Sequence, residues 1–107
     1  MAYYMIQTAF TADAWGTMLK NPQNRAEQVR PMIEKLGGKL EGYWSCFGDY
    51  DTVLIVQAPD NVAAAALSLA AAGGGALRSA KTTPLMTMDE TVQALKRAGK
   101  AGYKIPG

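Results

Sequence analysis

The segment from Thr52 to Ala58 most constrains how this chain can fold. Its centre, Val53-Leu54-Ile55-Val56, is a branched aliphatic at every position, so an extended strand there is apolar on both faces. Such a strand needs cover on both sides. Its boundaries are well marked: Gly48-Asp49-Tyr50-Asp51 forms a compact turn before it, and Pro59-Asp60 stops it. The segment Lys39 to Phe47 precedes the turn and reads as the partner strand of a hairpin. Trp44 and Cys46 would share one of its faces, with Tyr43, Ser45 and Phe47 on the other.

The remaining segments supply the cover for one face. Tyr3 to Phe10 is rich in aromatic and branched residues and reads as a strand, placing Tyr4, Ile6, Thr8 and Phe10 together. Thr11 sits where an N-cap belongs, and Trp15, Met18 and Leu19 follow at helical spacing until Asn21-Pro22-Gln23-Asn24 breaks the helix. A second helix begins near Arg25, its apolar stripe formed by Ala26, Val29, Met32, Ile33 and Leu36. Pro31 predicts a kink in it, and Gly37-Gly38 its C-terminal cap. Asp60 or Asn61 caps an alanine-rich helix that Gly73-Gly74-Gly75 terminates. Ala76 to Met86 reads as a fourth strand, and Pro84 suits an edge. Thr87-Met88-Asp89-Glu90 has capping-box spacing and opens a last helix carrying Val92 and Leu95.

The order is βαββαβ with a C-terminal helix, the α+β ferredoxin-like arrangement of an antiparallel sheet with helices on one face. Residues 1–98 form this single domain, and 99–107, with three glycines and a proline, read as a surface arm. The 107 residues leave no element for the second sheet face. A second copy of the chain is the expected lid, pairing as a dimeric α/β barrel.

Composition removes several classes of function. Histidine is absent and cysteine occurs once, at Cys46. That takes away the commonest metal ligand, the usual haem ligand, the usual neutral-pH general base and any internal disulfide. No metal or other cofactor is therefore expected. The formal charge is +2 with basic residues scattered, and the third strand has no aromatic on which a base could stack, so no nucleic-acid partner is expected. Neither a signal peptide nor a membrane span is read in the sequence, and the lone thiol suits a reducing cytoplasm.

The string Gly42-Tyr43-Trp44-Ser45-Cys46-Phe47-Gly48-Asp49-Tyr50-Asp51, followed by a Val/Ile strand and Ala58-Pro59-Asp60, resembles the GYD-domain family. The likeness extends to Arg25-Ala26-Glu27, Val29-Arg30, Gly37-Gly38, the alanine-rich helix, Thr82-Thr83 and Met88-Asp89-Glu90. It implies a ferredoxin-like fold in a small bacterial or archaeal cytoplasmic protein, and it carries over no catalytic residues. Pro31 and the triple glycine depart from the pattern.

Candidate binding residues are Tyr4, Trp44, Cys46, Tyr50 and Asp51, which could line an aromatic cavity between sheet and helices or at the dimer seam. Each also has a structural reading. Turns are built from Gly, Asp and Tyr, and free Cys is often simply packed. The function expected is a cytoplasmic homo-oligomeric module that binds a small apolar or aromatic molecule without catalysis. Two alternatives stand beside it. One is a cofactor-independent oxygenase or isomerase using Asp49, Asp51, Tyr50 or Tyr4 for proton transfer, an analogy from fold. The other is a purely structural assembly protein.

Overall fold

The computed structural model describes residues 1–106; Gly107, the last residue of the expected arm, lies outside them. The elements are β1 (Ala2–Phe10), α1 (Ala12–Lys20), α2 (Arg25–Lys35), β2 (Lys39–Ser45), β3 (Thr52–Ala58), α3 (Asn61–Gly73), β4 (Leu77–Leu85) and α4 (Met88–Lys100). The four strands form one sheet in the order β2-β3-β1-β4, every pair antiparallel. This is the ferredoxin-like α+β fold, with the first crossover split into α1 and α2.

Caps set the helix boundaries. The side chains of Thr11, Asn24 and Asp60 each accept a first-turn backbone N–H, from Ala14, Ala26 and Ala63 respectively. Thr87 and Glu90 close the reciprocal capping box of α4. At the C-terminus of α2, the Gly37 N–H donates to Glu34 O and the Gly38 N–H to Ile33 O, with Gly37 at φ +81°. Pro31 sits inside α2, which runs continuously to Lys35. Pro31 and Glu27, whose carbonyl loses its i+4 partner, are both exposed, so water can satisfy that oxygen.

Strand alternation puts Tyr4, Ile6, Thr8 and Phe10 of β1 beside Thr52, Leu54, Val56 and Ala58 of β3 on the helix-covered face, all buried. Helices α2 and α3 close this face: Ile33 from α2 and Ala64 and Leu67 from α3 complete the core. The hydroxyls of Thr8 and Thr52 hydrogen-bond each other within it, which satisfies two buried polar groups at once.

The other face has no helix over it. Its rows, read across the register, are Trp44–Val53–Gln7–Lys81 and Gly42–Ile55–Met5–Thr83. Val53, Ile55 and Met5 are only half-buried there. Trp44 lies flat along the sheet, its Cζ3 and Cζ2 2.7 and 2.9 Å from where a Gly42 Cβ would stand. Helix α4 leaves the edge strand β4 and buries none of its residues. Met88, Val92 and Leu95, one turn apart along its apolar stripe, are all exposed. No helix among the described residues is long and apolar enough to cross a membrane.

Candidate functional site

One recess on the helix side follows from how the chain turns after β1. Thr11 caps α1 directly after Phe10, the Asn21–Asn24 break reverses the chain, and Asn24 caps α2, so Arg25 becomes the first residue of that helix. Helix α1 and the start of α2 therefore flank the ends of β1 and β2. Between them lies a cleft of about 350 Å³, walled by Phe10, Trp15, Met18 and Tyr43 and edged by Gln23 and Ser45. Trp15 meets Phe10 edge-on, with ring centroids 5.3 Å apart and planes at 83°. Phe10, Arg25 and Tyr43 also line a smaller inner cavity of about 50 Å³, which is otherwise formed by core residues such as Ile6, Val29 and Leu67.

Arg25 is the one charged residue lining the 350 Å³ cleft. Its guanidinium carbon stands 5.6 Å from the centroid of the Phe10 ring, a cation–π contact. Its Nη1 donates to Gln28 Oε1 at 3.2 Å, and the Gln28 amide in turn donates to Gln23 Oε1. Its Nε is shielded from solvent and has no hydrogen-bond partner. A buried donor in that state costs about 1–3 kcal/mol. The ion pairs among the described residues are Arg30–Glu27 and Lys39–Glu41, so Arg25 has no carboxylate partner.

The residues singled out from the sequence are placed in three different settings. Tyr4 is buried on the helix side, its hydroxyl donating to Asn61 Oδ1 at 2.6 Å. Trp44 lies on the opposite face and is 56% exposed. Cys46, Tyr50 and Asp51 come together at the β2–β3 connection. There the Cys46 thiol donates to the Tyr50 carbonyl at 3.2 Å and the Cys46 N–H to the Asp51 carbonyl at 2.9 Å. Asp51 accepts the Phe10 N–H on Oδ2 at 2.9 Å. Among the described residues no three of the Cys, Asp and Glu side chains converge as metal ligands would.

Arg25 was not among those residues, although the sequence carries a signal for it. A cation in the first turn of a helix opposes the helix dipole, and a residue that breaks a local rule marks a place where something else decides its identity.

The family model of the GYD domain matches residues 4–95. The chain belongs to the GYD-domain family. In this GYD domain Gly48 and Asp51 do visible structural work in the β2–β3 connection. Gly48 takes φ +116°, a backbone conformation that side chains disfavour, and Asp51 fastens the connection to the end of β1. No curated protein matches the sequence of this GYD domain. Among solved structures it is similar to MtbAldR, at 17% identity and a TM-score of 0.62 over 80% of this chain and 53% of that one. The GYD domain thus spans about half the length of that neighbour, and the likeness extends to the fold alone.

Proposed function

We propose that the chain is the subunit of a homodimeric small-molecule-binding module, in which two sheets meet face to face and each subunit keeps a ligand cleft beside its sheet. The observation that carries the reading is the cleft under α1 and α2. Its volume of about 350 Å³ falls in the range of small-ligand pockets, and its lining combines the aromatic and apolar Phe10, Trp15, Met18 and Tyr43 with polar groups from Gln23, Asn24, Arg25, Ser45 and Thr52.

The dimer is supported by surface that the single chain leaves uncovered. A compact monomer of this mass exposes about 5,800 Å², whereas the chain exposes 7557 Å². The surplus, about 1,800 Å² per chain, doubles to a value within the range of obligate homodimer interfaces. Its radius of gyration, 17.4 Å, likewise exceeds the roughly 13 Å of a compact domain of this length. A second copy would cover the Val53–Ile55–Met5 face and give the apolar stripe of α4 something to pack against. Trp44 would enter that seam, while the cleft on the helix side stays open.

Two measurements test the reading. Sedimentation equilibrium at micromolar concentration is expected to give twice the 11.4 kDa chain mass. Titration with small aromatic molecules is expected to move the amide resonances of Phe10, Trp15 and Tyr43. A stable monomer overturns the assembly, and unmoved resonances at millimolar ligand overturn the binding site.

A further inference from the structure

We infer that the cleft between α1 and α2 is built for a small carboxylate with an apolar or aromatic body, held through its oxygens by Arg25. The inference rests on reading that cleft as a binding site and adds the chemistry of what enters it.

The argument starts from the charge. Arg25 is the only charged residue on the cleft wall, and no acidic side chain pairs with it. The structure nevertheless holds its guanidinium in place by contacts that leave donors unused. The Phe10 ring supports it through its face and consumes no N–H. Gln28 takes only Nη1, and the Gln23–Gln28 contact fixes that acceptor in turn. Nε remains without an acceptor. A guanidinium presents its N–H groups as a planar fork that matches two carboxylate oxygens. Nε is shielded from solvent, so the side chain must turn to present it to a ligand. The partial positive charge at the start of α2 adds to the same potential.

The walls select the rest of the ligand. Trp15, Met18 and Tyr43 offer apolar surface beside the guanidinium. A phosphate dianion lacks a body to fill that surface and is ordinarily met by several donors or cations, whereas one Arg balances one carboxylate.

The test compares benzoate and hexanoate with benzamide and hexanamide, and with inorganic phosphate, on the full chain by isothermal titration and amide chemical-shift mapping. The acids are expected to bind at the cleft at least about tenfold more tightly than their amides, the discrimination of a charge-assisted fork. Arg25→Gln is expected to erase that preference, acids then binding no more tightly than their amides, and Arg25→Lys to restore only part of it. Equal binding of acids and amides overturns the assignment of Arg25 yet leaves the binding cleft standing. Binding of none of the five probes overturns both, and phosphate binding more tightly than the acids overturns the carboxylate. The comparison of acid with amide on the unaltered chain needs no variant, so it decides the matter even where an Arg25 variant fails to fold.

Discussion

Asp51 and Phe10 are joined across the sheet: the Asp51 carboxylate accepts the Phe10 N–H at 2.9 Å. The Asp51 N–H in turn donates to Thr8 O at 2.8 Å, so one residue closes the end of the β1–β3 ladder with both backbone and side chain. Phe10 also lines the 350 Å³ cleft and supports the Arg25 guanidinium. The β2–β3 connection thus braces the end of β1, whose Phe10 lines the cleft. Asp51→Ala is expected to destabilise the fold by about 2 kcal/mol in urea unfolding, since the lost acceptor is charged and Phe10 is buried. Asp51→Asn keeps an acceptor and is expected to cost less than half as much.

The Thr8–Thr52 pair tests how buried hydroxyls are matched. Thr8→Val or Thr52→Val alone strands one buried hydroxyl, an expected loss of about 1–3 kcal/mol. The double change to Val removes both polar groups with little change of shape. It is expected to be no more costly than either single one, a non-additivity that denaturant midpoints read directly.

Two glycines are expected to respond unequally to the same substitution. A Cβ on Gly38 would stand 2.6 Å from the Gln57 carbonyl oxygen and 3.2 Å from Ile33 Cγ2. Backbone cannot give way cheaply there, so Gly38→Ala is expected to cost about 2–3 kcal/mol. A Cβ on Gly42 meets only the end of the exposed Trp44 ring, which can swing aside. Gly42→Ala is expected to cost less than Gly38→Ala, since a side chain and not backbone must give way, while shifting the emission of Trp44, measured in a Trp15→Phe background.

Val92→Glu combined with Leu95→Glu separates the assembly from the fold. Both side chains are exposed in the single chain, so far-UV circular dichroism is expected to be unchanged. Sedimentation is expected to shift to monomer, because two charges on the α4 stripe would have to be buried in the seam.

Helix α4 is also expected to weaken in acid from its N-terminus. The Thr87 backbone N–H, and then the Thr87 side chain, hold the Glu90 carboxyl below its ordinary value of 4.5. A folded-state value below the unfolded one means that the stabilisation is fully present above about pH 4.5 and is lost as the pH falls through the lowered folded value. Amide resonances of Thr87 and Glu90 are expected to titrate together below that pH, and Glu90→Gln to remove the transition while keeping the cap.

Elements and their ends were legible in the order of residues because local physics sets them. The alternation of Tyr4, Ile6, Thr8 and Phe10, the caps Thr11 and Asp60 and the Thr87–Glu90 box each involve neighbours only a few positions apart. The apolar stripe of α2 likewise announced its core face, and Ile33 is buried there. The stripe of α1 was equally legible but buries nothing, since that helix lies at the rim of the cleft. Which surfaces converge was a different matter. Tyr4 and Trp44 look alike as aromatic strand residues, yet the register sends them to opposite faces, because the bulge between Leu40 and Gly42 resets the β2 pleat. Arg25 gained its meaning only when Phe10 from the end of β1, Trp15 from α1 and Tyr43 from β2 closed around it. Chain order settles what each segment is, through contacts within a turn or two; long-range packing settles what each side chain faces, and a binding site is made of faces.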